Sequence, residues 1–302
     1  MPTKKYKLGF AFGGGGAKAA AHCGALQAMK EYGLEPDIVS GTSAGALVAT
    51  LYSVGYTPVQ MVELFEGLNF FKDIVTPAVP KGGFFDSKPL VEYIRKLVPY
   101  SKIEDLPIPT NIVASDMEHG IAKVFAKGEI ASRVVASCSI PVIFRPMLIN
   151  GVHYIDGGTL QNLPVPAIRQ KCEKVIAFNL INLIDEEKYK DNIISVAYRS
   201  FSMMFMSNII TDAKQADLFV ELDTKGCSFF DMSKLEELFF RGYQNTINTL
   251  ETNGYTRLHE PEKIVFKKSN KSKSAKMKRD HSVRDTIKER VGTISGNMLK
   301  KE

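Results

Sequence analysis

The chain of 302 residues can bury a full apolar core, and by length it could hold up to about two domains, although α/β folds of this size often form one. Its 44% hydrophobic and 24% charged residues, with 23 glycines and 14 prolines, are those of a globular protein and exclude disorder throughout. The net charge of +6 is uneven: residues 267–302 hold 12 Lys and Arg against four acids, leaving 27 basic and 29 acidic residues elsewhere.

In chain order, short apolar runs alternate with helical stretches. "LGFAF" (8–12) predicts a strand, followed by four glycines and a helix over "AKAAAHCGALQAMKEYG" (17–33), closed by Gly33 with Pro36 beyond. "DIVSG" (37–41) predicts the next strand and "AGALVATLYSVG" (44–55) its helix. Helices follow at 58–68 and 87–98, and residues 70–86, with two prolines and two glycines, read as a long loop or lid. Strands are predicted at "NIVAS" (111–115), "KVFA" (123–126), "HYID" (153–156), "KVIAFNL" (174–180) and "DLFVEL" (217–222). Helices are predicted at 129–139, 193–216 and 232–254. Such alternation, with several strands apolar almost throughout, predicts a three-layer α/β/α fold around a mostly parallel sheet.

Cys23, Cys138, Cys172 and Cys227 form no CxxC pair, so neither a metal site nor a disulfide framework is expected, and they read as reduced thiols. The N-terminal apolar run is shorter than the roughly 7 residues a secretory segment needs, and none reaches the roughly 18 of a membrane span. A cytoplasmic or peripheral location is therefore expected. The basic tail either lies on anionic lipid or is a solvated, poorly ordered end; no specific nucleic acid is expected as a partner.

Open α/β sheets place ligands outside the carboxyl ends of their strands, and three motifs sit there. Gly41-Thr42-Ser43-Ala44-Gly45 fits a nucleophile elbow, in which glycines stand where side chains would collide with the tight turn. The string arises by chance in roughly one chain in ten of this length, so a structural turn stays open as the alternative. Gly13 to Gly16 leave a row of backbone N–H groups that suits an anion or an oxyanion. Gly14-x-Gly16-x-x-Ala19 also satisfies a dinucleotide fingerprint, with Asp37 about 20 residues on. Asp37, however, opens its strand, whereas a ribose-binding acid closes one. Lys18 beside the glycines is expected to face solvent. The third motif is Asp156-Gly157-Gly158, in which Asp156 is either a turn-forming aspartate or a base brought close to a hydroxyl. A serine needs a base, and none of His22, His119, His153, His259 and His281 stands in a recognisable catalytic context.

Taken together, the glycine run at 13–16 followed by Ala17-Lys18, the "GTSAG" around Ser43 and the "DGG" at 156–158 resemble the patatin-like phospholipases. "GFFDSKPL" (83–90) and "ASCSIPVIFRP" (136–146) match as well, and the likeness covers about residues 7–225. The resemblance implies a sheet related to but distinct from the α/β-hydrolase fold, in a catalytic domain over residues 1–262 with a basic tail over 263–302. It implies a lipid acyl hydrolase acting on phospholipid or lysophospholipid without a cofactor. Ser43 would be the nucleophile, Asp156 its base, and the amides of Gly14, Gly15 and Gly16 the oxyanion hole. The family's glycine motif usually continues with glycine where this chain has Ala19, which puts rate and substrate size in question. A dinucleotide-binding protein and a catalytically weak lipid- or partner-binding protein are the competing readings. Acyl-chain contacts are expected from 65–71, 82–85 and 201–210, rich in Phe and Met, although such runs are more often core.

Overall fold

The computed structural model describes residues 5–67, 76–77, 82–181 and 193–267. In chain order the elements are β1 (Tyr6–Phe12), α1 (Ala20–Glu31), β2 (Ile38–Thr42), α2 (Ala44–Val54), α3 (Pro58–Glu66), β3 (Thr76–Pro77), β4 (Gly83–Asp86), α4 (Lys88–Leu97), β5 (Thr110–Asp116) and β6 (Ile121–Phe125). Then come α5 (Ile130–Ser137), β7 (Val142–Phe144), β8 (Met147–Ile149), β9 (Val152–Asp156), α6 (Gly158–Gln161), α7 (Pro166–Arg169), β10 (Cys172–Asn179), α8 (Ile193–Ala213), β11 (Leu218–Glu221) and α9 (Leu235–Thr252).

Local sequence explains several boundaries. At α3, Thr57 Oγ1 accepts from the Gln60 amide at 3.2 Å and Gln60 Oε1 from the Thr57 amide at 2.9 Å, with Pro58 in the first turn. Helix α2 stops at Gly55, whose φ of 107° a side chain would disfavour.

The main sheet runs β11-β10-β1-β2-β5-β9-β8, with β6 paired to β5. β11, β10, β1, β2 and β5 pair in parallel, whereas β6, β8 and β9 join antiparallel at one side. Alternation along the central strands sorts two cores. Phe10 and Phe12 of β1 enter the larger one, with Leu26 and Met29 of α1, Val48 and Leu51 of α2, and Leu238 and Phe239 of α9. Ala11 points the other way, onto Leu163, Ile168 and the inner side of α8 at Phe205 and Ile209. The fold is thus the expected three-layer α/β/α arrangement with a mostly parallel sheet.

One expectation is corrected. Within the segment read as a loop or lid, Gly83–Asp86 is a strand, pairing parallel with β7 and antiparallel with β3. The rest of that segment, 70–75 and 78–81, lies outside the described residues, as do residues 268–302 of the basic tail.

Candidate active site

Register places the key residues before any side chain is considered. β2 and β5 align Thr42 with Val113, and β5 and β9 align Ala114 with Asp156. The residue after Thr42 therefore lies level with Asp156, and that residue is Ser43.

Ser43 adopts φ 53° and ψ −127°, a sparsely populated conformation that costs on the order of 1–3 kcal/mol in a non-glycine residue. Its neighbours explain how the turn closes. A Cβ on Gly41 would lie 2.3 Å from the Gly45 carbonyl oxygen, and one on Gly45 2.2 Å from that of Phe12. The Ser43 amide donates to Ser137 Oγ at 2.7 Å, and Ser137 Oγ in turn donates to the Val113 carbonyl.

The Ser43 hydroxyl donates to Asp156 Oδ2 at 2.6 Å, and the Gly158 amide donates to Asp156 Oδ1 at 2.8 Å. Asp156 is fully buried, and burial pushes its pKa up to about 7, the two hydrogen bonds opposing that rise. Gly157 fits because a Cβ there would lie 2.2 Å from the Val113 carbonyl oxygen. The partly buried Cys138 also lies against Ser43, its thiol pKa pushed far up by burial and then by the Asp156 charge.

The glycine loop ends β1 beside this pair. A Cβ on Gly14 would lie 2.9 Å from Ser43 Cβ and 2.7 Å from Asn162 Oδ1, so nothing larger than glycine fits between them. Gly13 donates to the Phe178 carbonyl at 3.0 Å and Gly14 to the Asn162 carbonyl at 3.3 Å. The amides of Gly15 and Gly16 have no acceptor among the described residues. His22 Nε2 donates to the Gly13 carbonyl at 2.8 Å, and burial pulls its pKa down to about 4, so the ring is neutral at neutral pH.

The patatin-like phospholipase family profile matches residues 10–168, just over half of the chain. This chain belongs to the patatin-like phospholipase family. An uncharacterized NTE family protein of Mycobacterium tuberculosis is 29% identical over 170 residues, covering 54% of this chain and 45% of that protein. Lysophospholipase NTE1 of Saccharomyces cerevisiae is 27% identical over 179 residues, 57% of this chain and 11% of that one. The chain spans less than half the length of either relative. Among solved structures, VipD from Legionella pneumophila aligns with a TM-score of 0.48 at 15% identity, covering 82% of this chain and 67% of VipD.

Within this patatin-like framework, Ser43, Asp156, Gly14, Gly157 and Gly158 come together, and Gly41 and Gly45 shape the turn. Gly15 and Gly16 pack against Leu180 and Phe229. Lys18 is a correction: far from facing solvent, it is fully buried. Ala19 has φ −60° and ψ −15°, ordinary for any residue, so its methyl imposes no backbone strain. Asp37 stands at the opposite end of its strand, accepting from the Lys7 and Leu8 amides at 2.9 and 3.0 Å, which occupies the acid a dinucleotide site would need. His119 contacts Asp116 and His153 contacts Glu118, and no described histidine is bonded to Ser43 or Asp156. Sequence reasoning missed Ser137, Asn162 and Asn208, polar residues whose roles depend on contacts 46 to 148 positions away in the chain.

Proposed function

We propose that this chain is a lipid acyl hydrolase, a phospholipase A or lysophospholipase, working through a Ser43–Asp156 dyad and an acyl-enzyme intermediate. The observation that carries this reading is the 2.6 Å hydrogen bond from a strained, buried Ser43 to a buried carboxylate, with no described histidine bonded to either. Asp156 takes the hydroxyl proton as Ser43 Oγ attacks the ester carbonyl carbon. The same proton then passes to the leaving alcohol, and water repeats the sequence to release the fatty acid. A carboxylate with a pKa near 7 is a far stronger base than an ordinary aspartate, and it stays partly ionised at neutral pH. The amides of Gly15 and Gly16, which have no acceptor among the described residues, are the donors for the tetrahedral oxyanion. Gly14 joins them once its long bond to Asn162 opens.

The family and the lysophospholipase relative favour a phospholipid or lysophospholipid substrate. An acyl chain leaving Ser43 would meet the apolar cluster of Ile140, Ile143, Phe144 and Phe229 with Phe85 and Phe201, whose Phe229 abuts Gly16. In the 201–210 stretch Phe205 and Ile209 are core, while Met203 and Met204 face outward. No described helix is long and apolar enough to cross a membrane. The basic tail over 263–302 is the proposed anchor for peripheral contact with a bilayer.

Intact-mass measurement after treatment with a fluorophosphonate tests the assignment. The wild type gains one phosphonyl adduct, and Ser43→Ala gains none and hydrolyses neither p-nitrophenyl esters nor lysophosphatidylcholine. Wild-type hydrolysis by purified Ser43→Ala would refute the reading.

A further inference from the structure

Asn162, just beyond α6, is fully buried and bonded on three sides. Its Nδ2 donates to the Gly14 carbonyl and its own carbonyl accepts from the Gly14 amide, both at 3.3 Å. Its amide donates to Asn208 Oδ1 at 2.8 Å, while Asn208 Nδ2 donates to the Gly158 carbonyl at 2.9 Å. One position earlier, the Gln161 carbonyl accepts from Thr42 Oγ1 at 2.9 Å. A single short segment thus joins the glycine loop, the serine turn and the aspartate turn. The remaining atom, Asn162 Oδ1, is buried without a partner among the described residues, wedged where Gly14 and Gly158 would carry a Cβ. An apolar side chain would fill that space without an orphaned acceptor, so packing alone does not account for an asparagine.

We propose, resting on the dyad reading above, that Asn162 is a positioning residue that fixes the Gly14–Gly15 peptide plane for oxyanion stabilisation. A trans peptide holds its C=O and the following N–H on opposite sides. Anchoring the Gly14 carbonyl on Asn162 therefore turns the Gly15 N–H away from Asn162, where it has no acceptor among the described residues. Glycines on both sides leave this peptide free to flip. A flipped peptide would present an oxygen where the oxyanion needs a donor. The Asn162 Nδ2 bond is what opposes the flip.

The test compares wild type, Asn162→Asp, Asn162→Ser and Ser43→Ala on a p-nitrophenyl ester and on its thiono analogue, with C=S for C=O. Sulfur accepts hydrogen bonds poorly, so the ester-to-thionoester rate ratio reports the oxyanion donors and not general folding. Asn162→Asp keeps the shape but faces the Gly14 carbonyl with an acceptor. Its kcat on the ester is expected to fall about 10²-fold, the loss typical of one oxyanion donor, with KM within about threefold. Its ester-to-thionoester ratio is expected to fall at least about tenfold. Asn162→Ser, smaller and uncharged, carries the same expectation where Asn162→Asp does not fold. An unchanged ratio in a folded Asn162 variant overturns the proposal whatever happens to kcat, while an inactive Ser43→Ala leaves the dyad standing. An active Ser43→Ala overturns both.

Discussion

Replacing Asp156 by asparagine should raise stability and lower activity at once, and the structure gives the size of the stability change. The folded carboxyl holds its proton up to about pH 7 because burial disfavours the charge, whereas the ordinary value is 3.8. Between these values the folded state binds more protons than the unfolded one, so this group's contribution to stability is lost as pH rises through the window. The difference of about three pKa units corresponds to about 4 kcal/mol of destabilisation above pH 7. Asparagine cannot ionise, and its amide can keep both contacts, accepting from Gly158 and donating to Ser43. The variant should therefore be more stable than wild type at pH 8 by up to about 4 kcal/mol, the gap shrinking to near zero by about pH 4. Catalysis should move the other way, because losing the proposed base is expected to cost about 10²- to 10⁴-fold in kcat.

Urea unfolding at pH 4, 6 and 8, beside p-nitrophenyl ester turnover, reads both effects from one preparation. A stability gap that does not widen with pH would refute the buried-charge argument. Retention of more than about a tenth of wild-type kcat would refute the base.

On the proposed mechanism the dyad is active when Asp156 is ionised, so kcat/KM should rise with pH around a midpoint near 7 set by burial of Asp156, and Asp156→Asn should lack that limb. His22 carries the opposite linkage: burial lowers its folded pKa to about 4 from 6.5, so its stability is present above pH 6.5 and lost as pH falls towards 4. The stability difference between His22→Gln and wild type, measured by urea unfolding, should shift in favour of the variant by about 3 kcal/mol across that window. Ala19→Gly should leave ester turnover within about threefold and lower stability by about 1 kcal/mol, since Ala19 already holds a helical conformation. A tenfold or greater gain in turnover would instead show that the methyl constrains the loop.

What the sequence made legible and what it hid follow from the range of the interactions involved. Strands β1, β2, β5 and β10 carry enough apolar residues to be read directly, and the glycines announce tight turns because a Cβ at Gly41, Gly45 or Gly157 would strike backbone. β7 and β8, of three residues each, and α6 and α7, of four, fall below the length at which any periodicity emerges. Lys18 departs from expectation for a related reason: charge type argues for exposure, yet its buried place between β1 and α1 is set by the whole fold. Ser137, Asn162 and Asn208 look like ordinary polar residues, and only tertiary contacts set them around the dyad.

The serine and the aspartate could be named from local motifs, but not the frame that holds them. That frame is a set of backbone carbonyls and amides bridged by three polar side chains, on segments that meet only when β5 lies between β2 and β9. Strain at Ser43 and burial of Asp156 are both unfavourable in isolation, and each persists because the neighbouring strands leave no room to relax. The reactivity proposed for the pair therefore depends on the stability of the sheet edge around it. Substitutions that loosen the β2–β5–β9 register should lower kcat before they unfold the chain.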